Sequence, residues 1–209
     1  MKELKKDEWG IILDFLSHGH YGMDRPQPVA QVLGDHYFSL LEVILREDLK
    51  PKPGERLYIG DKKREEVKYI REKIGIADLT AAAKGELPKI IEAIVKEKEG
   101  VFMDFFTKSG QVTNRMHQLE LLPGIGKKHL WAIIEARKDK PFESFDDLKK
   151  RVPLLPDPEK MIVKRIMLEI EDKDKYRLFV PKFEKETGSR HTHDYDRNRR
   201  KNLYERYQI

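Results

Sequence analysis

The stretch Leu121-Leu122-Pro123-Gly124-Ile125-Gly126-Lys127-Lys128 constrains this chain more than any other. Ahead of it, Met116, Leu119 and Leu122 recur every three residues and predict a first helix with an apolar side. Pro123 and Gly124 end that helix, and Leu130, Ile133 and Ile134 open a second apolar stripe just beyond Gly126. The reading over residues 113–138 is helix, tight hairpin, helix. Gly124 and Gly126 can take positive φ and let another chain approach the backbone, while Ile125 between them turns inward to lock the helices.

Such a turn leaves unpaired backbone N–H groups at the start of the second helix, where the helix dipole adds partial positive charge and favours a phosphate oxygen. Lys127 and Lys128 occupy that first turn. Cations there oppose the dipole by about 0.3–1 kcal/mol, a placement that makes sense if an anion docks beside them.

The segment LELLPGIGKKHLWAIIEARK resembles the helix-hairpin-helix motif of many DNA- and RNA-binding proteins. The resemblance implies that amides near Gly124, Gly126 and Lys128 bind one strand's backbone without reading bases, often with a bridging monovalent cation. It departs over Lys128 to Trp131, where many relatives carry a small residue for close helix packing and this chain has only Ala132. The next segment, PFESFDDLKKRVPLLPDPEKMIVKRIMLEI, extends the resemblance as a degenerate second hairpin. Ser144 is its N-cap with Asp147 three residues on, Asp157-Pro158 caps the following helix, and residues 152–156 form a turn without glycine. Lys149, Lys150 and Arg151 extend the basic surface, or form an ordinary solvated helix end.

Upstream, short apolar runs broken by Gly and Pro from Glu8 to Gly60 predict a small antiparallel barrel. The run FSLLEVIL lacks clean alternation and fits a strand or a helix, whereas Leu57 and Ile59 face one side and Arg56 and Tyr58 the other. Val67, Ile70 and Ile74 then predict a charged amphipathic helix within residues 62–75. A further helical stripe contains Ile90, Ile91, Ile94 and Val95, and Phe102, Phe105 and Phe106 follow as core aromatics. The order of barrel, helices, RMHQLELLPGIGKK, PFESFDDLKKRV and YRLFVPKF resembles, over residues 8–181, an uncharacterised archaeal family of predicted nucleic-acid-binding proteins with an oligonucleotide-binding (OB) fold.

The expected fold is therefore multidomain α+β: an OB-like β-barrel over 1–61, a helical connector over 62–110, a helix-hairpin-helix (SAM-like) domain over 111–172, and a tail over 173–209. Tyr176 to Val180 are expected to return as a strand. In the tail, Arg190, Arg197, Arg199, Arg200, Lys201 and Arg206 alternate with Tyr195, Tyr204 and Tyr207, a pattern that suits a flexible basic segment.

Composition narrows function. Hydrophobic residues make up 39% and charged residues 38%, which favours small modules over one large core. The net charge of +5, from 42 basic and 37 acidic residues, permits a polyanionic partner without demanding one. With no cysteine, thiolate metal sites and cysteine nucleophiles are excluded, and a reducing, cytoplasmic setting fits. The apolar run Ile11 to Leu16 is far short of the roughly 20 residues of a membrane span, so no membrane association is expected. No GxxxxGK[ST] or GxGxxG occurs. Asp14, His18, His20, Asp24 and Asp35 could be assembled into a nuclease site, yet nothing in their spacing asks for it, and His191 and His193 are too few for a metal.

The expectation is non-sequence-specific nucleic-acid binding, RNA over DNA, serving translation or ribosome assembly, by a protein that is not an enzyme and needs no cofactor beyond the monovalent cation. The binding residues are Gly124, Ile125, Gly126, Lys127, Lys128, Lys149, Lys150 and Arg151, with Tyr21, Tyr37 and Tyr58 of the barrel adding contact. A protein-interaction adaptor is the competing reading.

Overall fold

A computed structural model describes residues 6–182 apart from Gly22 and Asp24. The basic tail, His191 and His193, and Asp24 lie outside the described residues. The chain is a mixed α+β protein built on a curled five-stranded antiparallel sheet, a half-barrel.

Strands β1 (Trp9–Leu16), β2 (Val29–Gly34), β3 (Leu40–Leu45), β4 (Arg56–Tyr58) and β5 (Val67–Lys73) lie in the order β4-β1-β2-β3-β5. The ambiguous run after Tyr37 is thus a strand. Both ends of the sheet, β4 and β5, stay unpaired with each other, so the expected barrel is open. β5 replaces the helix expected over residues 62–75, and the sheet passes the boundary expected at 61. The reason lies in its pairing with β3. Register shifts leave Lys68 and Arg71 without opposite partners, so the inward residues Val67 and Ile70 fall three apart and imitate helical spacing.

Strand alternation gives the sheet two apolar faces. Ile12, Ala30, Val32, Val43 and Leu57 fill the inside of the curl, while Ile11, Leu13, Leu33 and Leu40 join the helices on the other side. There α1 (Ala81–Glu97) buries Leu87, Ile91 and Ile94, and packs against β1 and α2 (Glu99–Lys108). Phe102 and Phe106 of α2 are buried as expected, and Phe105 is half-buried. One continuous core runs from Ile11 through Leu122, Ile133 and Ile162 to Val180, so the expected separate modules share their interior.

The carboxylates that could be drawn into a nuclease site tie helix to sheet. Asp14 Oδ2 accepts from the Thr80 hydroxyl at 2.6 Å, and Thr80 Oγ1 in turn caps α1 by accepting from the Ala83 amide. Asp35 pairs with Lys98 at 2.9 Å. His20 Nε2 meets the buried Glu42 carboxylate at 2.6 Å, and Arg71 donates to the other Glu42 oxygen at 3.0 Å. Among the described residues no helix is long and apolar enough to cross a membrane.

The remaining elements are a small hairpin of β6 (Gln111–Thr113) and β7 (Met116–His117), a 3-10 turn over Gln118–Leu121, then α3 (Lys127–Asp139), α4 (Phe145–Arg151) and α5 (Pro158–Ile170). Tyr176 to Val180 form no strand. The amides of Leu178, Phe179 and Val180 donate to the carboxylate of Glu169 on α5, and Phe179 sits edge-on to Phe102 and Phe105. Glu169 is also paired at 2.6 Å with Arg165, and both side chains are almost wholly buried. Removing one partner of a buried pair leaves an uncompensated charge, which costs about 3–5 kcal/mol. Glu169→Ala should lower stability to urea by that amount, and a variant as stable as the parent would show that the C-terminal segment does not depend on this carboxylate.

Candidate nucleic-acid interface

The turn before α3 matches the sequence expectation in its core and differs at both ends. Ile125 is buried, as the inward lock requires, and its amide donates to the Leu122 carbonyl at 3.1 Å. Gly124 has φ +97°, and a Cβ there would press on Pro156 Cγ at 3.3 Å. Pro156 belongs to the glycine-free turn after α4, so the second hairpin buttresses the first. Gly126, expected to share the positive φ, instead has φ −95° and ψ 178°, extended backbone open to any residue.

The first helix of the expected pair is absent. Met116 pairs with Thr113 in the β6–β7 hairpin, and only the 3-10 turn follows. The three-residue interval from Leu119 to Leu122 is the period of a 3-10 helix, and both side chains are buried. His117 caps this turn: its Nδ1 accepts from the Leu119 amide at 3.1 Å, while Glu120 accepts from the His117 amide at 2.9 Å.

Helix α3 begins without a side-chain cap at Gly126, whereas Thr80, Ser144 and Asp157 cap α1, α4 and α5. Its first closed turn is the Leu130 amide on the Gly126 carbonyl at 3.0 Å. The amides of Lys127, Lys128 and His129 precede it and face the helix end with no carbonyl to accept them among the described residues.

The proposed cations separate into three groups. Lys128 and Lys150 are exposed and have no ion-pair partner among the described residues. Lys127 pairs with Glu120 at 2.7 Å, and Lys149 with Asp146 at 2.7 Å. Arg151 is structural: it donates to the carbonyls of Ala136, Lys140 and Pro141 at the end of α3, pairs with Asp147, and lies over the Phe142 ring. Tyr21 is fully exposed on the loop before β2, Tyr37 lies against His36, and Tyr58 stacks edge-on to Trp9 at 5.3 Å.

The sequence reading missed an open groove of about 410 Å3 beside the hairpin, whose walls include Arg115, His117, Glu120, Lys127, Trp131 and Arg137. Trp131 is 64% exposed. A signal for it was present, since Trp131 follows Lys127 and Lys128 by four and three residues and so shares their side of α3. The monovalent cation implied by the motif would be held by backbone carbonyls of the turn. That of Gly124 lies 3.3 Å from His129 Nδ1, which competes for it in the donating tautomer. No group of three or more His, Asp or Glu side chains among the described residues is placed to hold a metal.

With the half-barrel and the hairpin in place, comparison with known proteins defines the class. The chain belongs to the family described as "Protein of unknown function (DUF655)", whose model matches residues 6–181. It is similar to an uncharacterized protein of Methanocaldococcus jannaschii, with 41% identity over 182 residues, covering 86% of this chain and 82% of that one. It is also similar to the crystal structure of Af1531 from Archaeoglobus fulgidus, with a TM-score of 0.75 and 48% identity, covering 83% of this chain and 99% of that one. The expected uncharacterised family with archaeal members is thereby established.

Burial holds the His117 imidazole below its ordinary value of 6.5, helped by the Arg137 and Lys127 charges and opposed by Glu120. Glu120 in turn is held below its ordinary 4.5, chiefly by the Lys127 hydrogen bond and then by the His117 amide. An unfolded histidine takes a proton near 6.5 that the folded one resists, so stability present above that pH declines as pH falls through it. The Glu120 contribution is lost lower, as pH falls below 4.5. The thermal midpoint should therefore drop from about pH 7 to about pH 5, and drop less in His117→Gln. Identical slopes for the two proteins would exclude His117 as the source.

Proposed function

We propose that this protein binds nucleic acid without sequence preference, RNA in preference to DNA, by holding a phosphate backbone where the Pro123–Gly126 turn meets α3. One observation carries the reading: α3 starts at a glycine that neither backbone nor packing requires. Gly126 has extended φ, and a Cβ built on it would meet nothing within 4 Å. A capping Ser or Asp would cover the amides of the first turn, and glycine leaves them open to an outside acceptor. Lys128 beside them supplies charge that no internal carboxylate takes up among the described residues.

In this reading residues 111–172 act as a helix-hairpin-helix unit whose first helix is shortened to a 3-10 turn, and the half-barrel acts as an OB-like surface left open between β4 and β5. Tyr21 and Trp9, the latter edge-on to the half-buried Tyr58, give that surface exposed aromatic groups on which bases stack. Single-stranded or structured RNA, as met in translation and ribosome assembly, presents such unstacked bases more often than duplex DNA.

Fluorescence anisotropy with labelled RNA and DNA, each single- and double-stranded, tests this across a salt series. Affinity should fall steeply with salt, and Lys128→Ala should reduce the slope of log Kd against log salt by about 1. Gly126→Ser, which caps the first turn with its own hydroxyl, should weaken binding without lowering thermal stability, whereas Gly124→Ala should cost about 1–3 kcal/mol of stability through its positive φ. Absence of binding to all four probes at low salt would rule the proposal out in favour of a protein partner.

A further inference from the structure

We infer that the groove beside the hairpin receives one unpaired base of a bound strand, stacked on Trp131, so that the protein selects single strands over duplexes. This rests on the reading of the hairpin as a phosphate site.

Trp131 is 64% exposed on a helix whose other large apolar side chains are buried, Leu130 and Ile133, or half-buried, Ile134. An indole left in water forfeits a large apolar burial, and this one borders a groove that is also lined by the β6–β7 turn with the exposed Arg115. Its spacing from Lys127 and Lys128 puts the ring one turn from the helix end at which the uncapped amides point, on the face that carries Lys127. A nucleotide whose phosphate sits at the amides therefore has its base within reach of the indole.

The inner wall adds a directed donor. His117 is 8% exposed and its Nδ1 accepts from the Leu119 amide, so the neutral ring carries its proton on Nε2. Among the described residues no buried side-chain nitrogen or oxygen lacks a hydrogen-bond partner. Nε2 has no partner among them, so it keeps access to solvent on a side chain that lines the groove. A neutral N–H suits the carbonyl and ring-nitrogen acceptors on the edge of a base. Arg137, fixed by the carbonyls of Phe106 and Ser109, holds a positive charge along the same wall, and Lys127 offsets Glu120. A π-face, a neutral donor and surplus positive charge match a nucleotide. Bases inside a duplex are stacked on each other and cannot enter.

The test uses the full chain with Trp9→Phe, which keeps an aromatic ring beside Tyr58, leaves Trp131 as the sole tryptophan, and is compared with the parent for affinity on each probe. Its fluorescence is titrated with a short oligouridylate, with an abasic phosphodiester strand of equal length, and with duplex RNA. Oligouridylate should quench the emission, and the abasic strand and duplex should not. In anisotropy, Trp131→Ala should weaken oligouridylate binding about tenfold and leave the abasic strand and duplex within about twofold. His117→Ala, folded by circular dichroism, should weaken only the base-bearing strand. Equal losses on all three probes, or none on oligouridylate, would overturn the base site. If Lys128→Glu weakens every probe while Trp131→Ala changes none, the hairpin reading survives and this one fails. If no probe binds at low salt, both fail.

Discussion

The buried pair of Arg165 and Glu169 is the interaction on which the placement of the hairpin depends. Each ion loses several kcal/mol of hydration on burial, and only a complete set of hydrogen bonds makes the pair tolerable. Arg165 donates to Glu169, to the Leu121 carbonyl, to Asp174 and to the Tyr176 carbonyl. Glu169 accepts three successive amides of the C-terminal segment besides. Asp174 is held below the usual carboxylate range, first by the Tyr176 amide and then by Arg165. One guanidinium thus joins the residue preceding Leu122-Pro123-Gly124, the end of α5, and the segment that packs on α2. The turn proposed to meet a phosphate is anchored from behind by charge, and from the side by Pro156 against Gly124.

That anchoring would be of little use on a separate, loosely tethered module. Here the helical layer shares its core with one face of the sheet, through Ile11, Leu13 and Leu33. The other face closes over its own apolar interior. Polar links reinforce the seam: Asp14 and Gln31 both reach Thr80 at the start of α1, and Lys98 reaches Asp35. The two candidate contact surfaces, hairpin and half-barrel, therefore stand on one packed body. A strand crossing both would meet surfaces of fixed relative position, which removes an ordering cost that flexibly joined modules carry.

What was legible in the sequence was local chemistry with a fixed geometric signature. Ser144 and Asp157 cap the helices they were expected to cap, Ile125 turns inward, and Leu57 and Ile59 face the core. What misled was periodicity altered by an interruption. Two bulges in β5 convert a two-residue alternation into a three-residue one, and a 3-10 turn gives Leu119 and Leu122 the spacing of a helix face. The strand expected over Tyr176 to Val180 failed for another reason. Its amides are taken by the side chain of Glu169 on α5, and a side-chain acceptor of three successive amides leaves no mark in the strand pattern of residues 176–180. The groove was half legible, because Trp131 follows from helix geometry, whereas His117 and Arg115 arrive on a hairpin that the helical reading had erased.

The charge pattern explains why a net +5 is a weak guide to the candidate interface. Along the helices, cations are matched locally: Lys89 with Glu86, Lys96 with Glu92, Lys108 with Asp104, Lys138 with Glu135. Such exposed pairs add little stability, but they cancel the field at a distance greater than their separation. Around the hairpin the matching stops short. Lys127 has Glu120, yet Lys128 and Arg115 have no carboxylate partner among the described residues, and the dipole of α3 adds to them. A nearly balanced composition therefore coexists with a local positive field at the one helix start where the backbone is also uncovered. It is this coincidence of unmatched charge and open amides, and not the total charge, that supports the proposed phosphate site at the turn.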